Sequence, residues 1–129
     1  MVHIKSIQIL SMCAHHLAAI VGRAHFAYIP NDKVVGLSKI PRMVHVLMRR
    51  PQLQENLTQQ IVDIFDNTIK PKGCAVQIKA YHFCMMYRGV QEPTSYTETT
   101  ALRGALLLSD AARAEFLAAA KENGVVVFP

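Results

Sequence analysis

The stretch Cys74-Ala75-Val76-Gln77-Ile78-Lys79-Ala80-Tyr81-His82-Phe83-Cys84 decides the fold. Apolar and polar side chains largely alternate along it, the mark of a strand with one buried face, so a strand is expected over 74–84. On that strand His82 and Cys84 stand at i and i+2 and share a face. The stretch therefore carries chemistry at one end. An upstream segment, Ser11-Met12-Cys13-Ala14-His15-His16, offers a matching set: one thiol and two imidazoles within a few residues. Brought together, the two segments hold the donors that zinc prefers, and a catalytic zinc needs three protein ligands and one open position. Spacing alone does not choose between His15 and His16. It also leaves open a closed, structural zinc that uses all four groups. The zinc deaminase signature, His-x-Glu with Pro-Cys-x-x-Cys, is absent.

Outward from that strand, the rest of the chain falls into short elements. Val2 to Met12 reads as a first strand with a phase change near Lys5-Ser6, where a bulge is expected. Gly22 to Ile29 reads as a second, stopped by Pro30-Asn31-Asp32. Ser38 is placed as an N-cap and Pro41 in the first turn of a helix that runs to about Arg50, before Pro51. Leu53, Leu57, Ile61 and Phe65 recur every four residues and give a second helix, to about Ile69, an apolar face. Lys70-Pro71-Lys72-Gly73 ends it. Ser95 to Arg103, rich in Thr, is a fourth strand, and Ser109-Asp110 opens a last helix through about Glu122. Val125 to Phe128 is an apolar tail without an assigned place.

The order β-β-α-α-β-β-α implies an α+β fold: a four-stranded antiparallel sheet with two helices on one face, in a single domain over residues 1–129. Such a sheet leaves two open edges, and edge-to-edge association would close them, so a homo-oligomer is expected.

Composition narrows the function. Of 129 residues, 51% are hydrophobic and 18% charged, which excludes a disordered chain. The formal charge of +5 favours anionic partners. Only Arg49-Arg50 are adjacent among the cations, which speaks against a nucleic-acid stripe. The apolar runs, around Leu17 to Val21 and Ala105 to Leu108, are too short to span a bilayer. The opening residues lack the apolar core of a secretory signal, and three cysteines is an odd number. A reducing, cytoplasmic setting is expected, where Cys/His clusters are more often metal sites than disulfides.

Four motifs then stand in order: Cys13-x-His15-His16; Gly36-Leu37-Ser38-Lys39-Ile40-x-Arg42; Gln54-Glu55-x-Leu57-Thr58-x-Gln60-Ile61; and His82-x-Cys84-Met85-x-x-Arg88-Gly89. Together they closely resemble the GTP cyclohydrolase I family, over about Ile4 to Ala118. The resemblance implies the tunnelling fold, in which oligomerisation joins the sheets into a barrel, and a pentamer or decamer with sites between subunits. It implies one Zn2+ per subunit, held by Cys13, His16 and Cys84, with His15 and His82 as catalytic imidazoles. It assigns Ser38, Lys39, Arg42 and Arg88 to the triphosphate of GTP, and Glu55 and Gln54 to the guanine pocket. A carboxylate at Glu55 accepts from guanine N1–H and the exocyclic amine together, a donor pair that adenine lacks. The implied products are 7,8-dihydroneopterin triphosphate and formate, for tetrahydrofolate, pterin or deazapurine synthesis. Two departures stand out. Ala14 replaces the family's usual Glu, and the sequence starts close to the first strand, without the family's helical N-terminal extension. They motivate two alternatives: a non-catalytic GTP-binding homologue, and a cyclohydrolase that stops at the formylated, ring-opened intermediate.

Overall fold

The computed structural model describes residues 1–14 and 17–121. Its elements follow the order β1 (Val2–Met12), β2 (Ala19–Ile29), α1 (Lys39–Met48), α2 (Gln54–Ile69), β3 (Gly73–His82), α3 (Phe83–Tyr87), β4 (Thr97–Gly104), α4 (Ala105–Leu108) and α5 (Asp110–Ala120). The four strands form one antiparallel sheet in the order β1-β2-β3-β4, so β1 and β4 are its edges. The bulge expected near Lys5-Ser6 is present. The β1–β2 register shifts between Ile4 and Ile7, and Ser6 takes a φ of 57° there. The extra residue restores the phase, so Ile4, Ile7 and Ile9 can all serve the same layer.

That layer lies between the sheet and the α1–α2 pair. Ile9, Phe26, Tyr28, Ile40, Val44, Leu57, Ile61, Phe65, Val76 and Ile78 meet in it and are buried. Phe65 stands edge-on to Phe26 and Tyr28, with ring centroids 4.9 and 5.2 Å away. Full burial of each such side chain stabilises by roughly 1.5–3 kcal/mol. The four-residue apolar repeat of α2 is the cause: it puts Leu57, Ile61 and Phe65 on one stripe. The opposite face of the sheet is covered too, where Ala27, Ala75, Leu106 and Phe116 cluster beneath α4 and α5. Ser109 caps α5 by accepting from the Ala112 N–H at 3.3 Å.

Close approach at two glycines sets the sheet geometry. A Cβ on Gly22 would strike the Lys79 carbonyl and Ala80 across β2–β3. Gly104 has a φ of 63° and turns β4 into α4, where the Ala105 N–H donates to Lys72 O at 2.8 Å.

The structure corrects three details of the sequence reading. The third strand ends at His82 rather than Cys84, because Phe83–Tyr87 coils into a short helix. Two short helices, α3 and α4, are added to the expected order. Ser38 holds the N-cap place of α1 but lies in the αR region, and its side chain makes no capping bond. The apolar tail assigned to Val125 through Phe128 lies outside the described residues.

Candidate active site

The two chemistry-bearing segments meet at one end of the sheet. Cys13 follows β1 and is tied by a parallel bridge to Gln52, in the α1–α2 connection. The Gln52 N–H donates to Met12 O at 2.8 Å, and the Ala14 N–H to Gln52 O at 3.0 Å. The Gln52 amide donates to Leu47 O at 3.0 Å, which fixes that connection against the end of α1. Cys13 is thereby buried and held in place. Cys84, in the first turn of α3, hydrogen-bonds the Cys13 side chain. The two thiols therefore touch, although Cys84 is reached through a helix turn and not along a strand face. Neither is in a disulfide. Burial lifts Cys84 above the usual thiol range, and the charge and hydrogen bond of Cys13 lift it further. Two thiols in contact resist joint ionisation until a cation arrives to share them.

His82 ends β3, two residues before Cys84. Its Nε2 lies 2.6 Å from Gln54 Oε1. Burial lowers the His82 pKa, and the Glu55 carboxylate opposes that shift. Gln54 is buried at the start of α2, while Glu55, next along, is exposed. Glu55 opens onto a cleft between α2 and β4 that Thr58, Gln59 and Thr99 also line. The Gln54 amide nitrogen reaches Ile78 O at 3.2 Å, Thr97 O at 3.0 Å and Thr99 Oγ1 at 3.0 Å. Thr58 donates to Gln54 O at 2.8 Å and lies 2.7 Å from Thr99 Oγ1. Thr58 stands in the third sequence motif and Thr99 in the Thr-rich fourth strand, but the sequence assigns neither a role. The only hints were the i, i+4 spacing of Gln54 and Thr58 and the Thr-rich β4.

The structure places the remaining site residues as follows. Arg88 follows α3 directly and is exposed, four residues after Cys84. Ser38, Lys39 and Arg42 lie elsewhere. Lys39 lines a groove with Ile64, Phe65, Thr68 and Ile69, near the C-terminal end of α2. Glu55 stands at the other end of that helix, roughly 15–20 Å away at 1.5 Å per residue. The first turn of α1 also has fewer open donors than expected, since the Lys39 N–H donates to Gly36 O at 2.9 Å and Pro41 has none. His15 and His16 lie outside the described residues. Among the described residues no three Cys, His, Asp or Glu side chains gather as a metal cluster; Cys13 and Cys84 form a pair. No helix among them is long and apolar enough to cross a membrane.

Comparison with known proteins bears on this arrangement. The family model described as GTP cyclohydrolase I matches residues 1–121. The chain is 52% identical over 117 residues to GTP cyclohydrolase 1 of Chlorobaculum tepidum, a match that covers 91% of this chain and 52% of that protein. It is 51% identical over 116 residues to GTP cyclohydrolase 1 of Campylobacter curvus, covering 90% of this chain and 61% of that one. The chain thus spans little more than half the length of these relatives. Among solved structures, the apo archaeosine synthase QueF-Like superposes with a TM-score of 0.65 at 20% identity, covering 80% of this chain and 92% of that one. That likeness establishes the tunnelling fold of the single chain.

Proposed function

The chain belongs to the GTP cyclohydrolase I family, and from that premise we propose that it converts GTP and water to formate and 7,8-dihydroneopterin triphosphate with the help of one zinc ion. The observation that carries this reading is the contact between Cys13 and Cys84, two thiols from distant segments, with His82 two residues before Cys84.

The donor set fits the metal. Paired thiols suit a borderline-soft cation, and a neutral imidazole completes a three-ligand set. Cys13, Cys84 and His16 would hold it. Zinc bound there would supply a Lewis acid that makes water nucleophilic near neutral pH. The chain's own residues do the rest. His82, kept neutral by burial, exchanges protons with the purine as its five-membered ring opens at C8, and His15 is the second imidazole for that task. Glu55 accepts from guanine N1–H and the exocyclic amine, which selects guanine over adenine. Ser38, Lys39, Arg42 and Arg88 bind the triphosphate, which carries several negative charges. C8 departs as formate, and the ribose carbons close the new six-membered ring, with one water consumed overall.

The placement of Lys39 and Arg42 supports an oligomer. Both lie on α1, in grooves they share with Ile64 and, for Lys39, with residues up to Ile69, about 13 Å or more along α2 from Glu55 of the same chain, so one nucleotide is better served by Glu55 of one copy and Lys39 of a neighbour. Among the described residues β1 and β4 are the sheet's edges, and pairing them between copies would close a barrel. A cytoplasmic setting agrees with three cysteines that form no disulfide.

The deciding experiment incubates the zinc-loaded protein with GTP or ATP. Formate release and a fluorescent oxidised pterin from GTP alone are expected. Absence of formate with zinc bound would overturn the reading.

A further inference from the structure

The hydrogen bonds around Gln54 leave little freedom in where protons sit. Its amide nitrogen faces two backbone carbonyls, Ile78 O and Thr97 O, which only accept. The NH2 group must therefore point at them; a flipped amide would set its oxygen against both carbonyls, with three lone-pair-bearing atoms in contact. Gln54 Oε1 is then the atom that faces His82, and it too only accepts. The nitrogen 2.6 Å from it, Nε2, must carry the proton.

The threonines hold this amide in place. Gln54 O only accepts, so Thr58 gives it its single hydroxyl hydrogen. Thr58 Oγ1 has nothing left to donate to Thr99, 2.7 Å away, so Thr99 donates to Thr58. Thr99 Oγ1 is then free to accept from the Gln54 amide at 3.0 Å. The two amide hydrogens of Gln54 are shared among three acceptors, Ile78 O, Thr97 O and Thr99 Oγ1, each of which holds the NH2 group on that side, and Gln54 and Thr58 are both almost wholly buried.

We infer that Gln54, Thr58 and Thr99 are positioning residues that fix the ring of His82 and lock it in the tautomer with its proton on Nε2 and its lone pair on Nδ1. Gln54 acts on the nucleotide through His82 rather than by touching guanine, because its amide hydrogens and its oxygen are committed to the protein. The inference rests on the cyclohydrolase reading for its kinetic consequence, but the tautomer itself can be observed without turnover.

The test joins both. Nitrogen-15 spectra of imidazole-labelled protein, taken at mildly alkaline pH where the ring is neutral, should show His82 protonated at Nε2. Gln54→Leu should let the Nδ1–H form appear. In GTP turnover, Gln54→Leu should lower kcat by about a hundredfold and Thr99→Val by about tenfold, the range for partners that orient a functional imidazole. KM for GTP should stay within about twofold, since no substrate contact is lost. Thr99→Ser, which keeps the hydroxyl, should restore turnover. A wild-type ring protonated at Nδ1 would overturn the lock. So would a Gln54→Leu variant whose KM rises while kcat holds, which would mark Gln54 as a guanine contact. If Gln54→Leu does not fold, Thr99→Val against Thr99→Ser decides the matter by the same split. A wild type that shows the Nε2 proton but releases no formate would fault the activity and leave the lock standing.

Discussion

Cys84 hydrogen-bonds the side chain of Cys13, joining the first turn of α3 to the end of β1. Two thiols this close without a disulfide are poised for a cation. Zinc analysis should find one ion per chain in the wild type, and Cys84→Ala or Cys13→Ala should lose most of it together with formate release. In the metal-free protein Cys84 should react with a thiol reagent, and added zinc should protect it. Retention of stoichiometric zinc by both variants would place the ion elsewhere.

Glu55 should govern the choice of base. A hydrogen bond to a charged group is worth about 1.5–3 kcal/mol, so Glu55→Gln should weaken GTP by roughly ten- to hundredfold in kcat/KM. The loss for GTP should far exceed any change for inosine triphosphate, which lacks the exocyclic amine. Equal losses for both nucleotides would assign Glu55 a different role.

Lys39 lies far along α2 from Glu55, which makes a site shared between copies testable by mixing. Arg42→Ala and Glu55→Gln proteins should each be strongly impaired alone, with turnover compared at low GTP. Unfolded together and refolded, they should regain a measurable fraction of wild-type turnover, because some sites then combine two intact halves. Light scattering should show an oligomer in each case. No recovery from well-folded mixed oligomers would place both groups in one chain's site.

The buried Cys74 thiol is pushed up to about 12, chiefly by burial, with Asp66 adding to the shift. Its ordinary value is 9.0, so the unfolded chain loses this proton first. The contribution to stability is complete below about pH 9 and fades as pH rises toward 12. Denaturant midpoints should fall with pH in that window, and Cys74→Ala should remove this part of the slope. A pH dependence unchanged by the substitution would show that other groups carry it.

Gly22→Ala should be costly although both residues are small. The new methyl would meet the Lys79 carbonyl and the Ala80 Cα, both part of the neighbouring strand. Overpacking of this kind costs about 1–3 kcal/mol or more, and here backbone must move. A thermal midpoint equal to that of the wild type would mean that β2 and β3 do not approach so closely.

Much of this molecule can be read directly from its residues. The Lys5-Ser6 phase change shows as a bulge because alternation is a local property of neighbouring side chains. The four-residue spacing of Leu57, Ile61 and Phe65 likewise carries its own periodicity. Phe83 and Cys84 read as the end of the third strand because a short apolar run has no period of its own; in the structure they open α3. The pairing of His82 with Gln54, and of Gln54 with Thr99, was hidden for a different reason: the partners are 28 and 45 residues apart, and nothing in either segment names the other.

The one-dimensional chain thus determined which groups are present: thiols, imidazoles, a carboxylate and the cations for phosphate, each on a recognisable element. Only the tertiary structure decided which of them meet. It put Cys13 against Cys84, gave His82 to Gln54, and set Lys39 at the far end of α2. Those outcomes depend on register across the sheet and on where helices cross it. Packing of the whole core fixes both, and no single segment does.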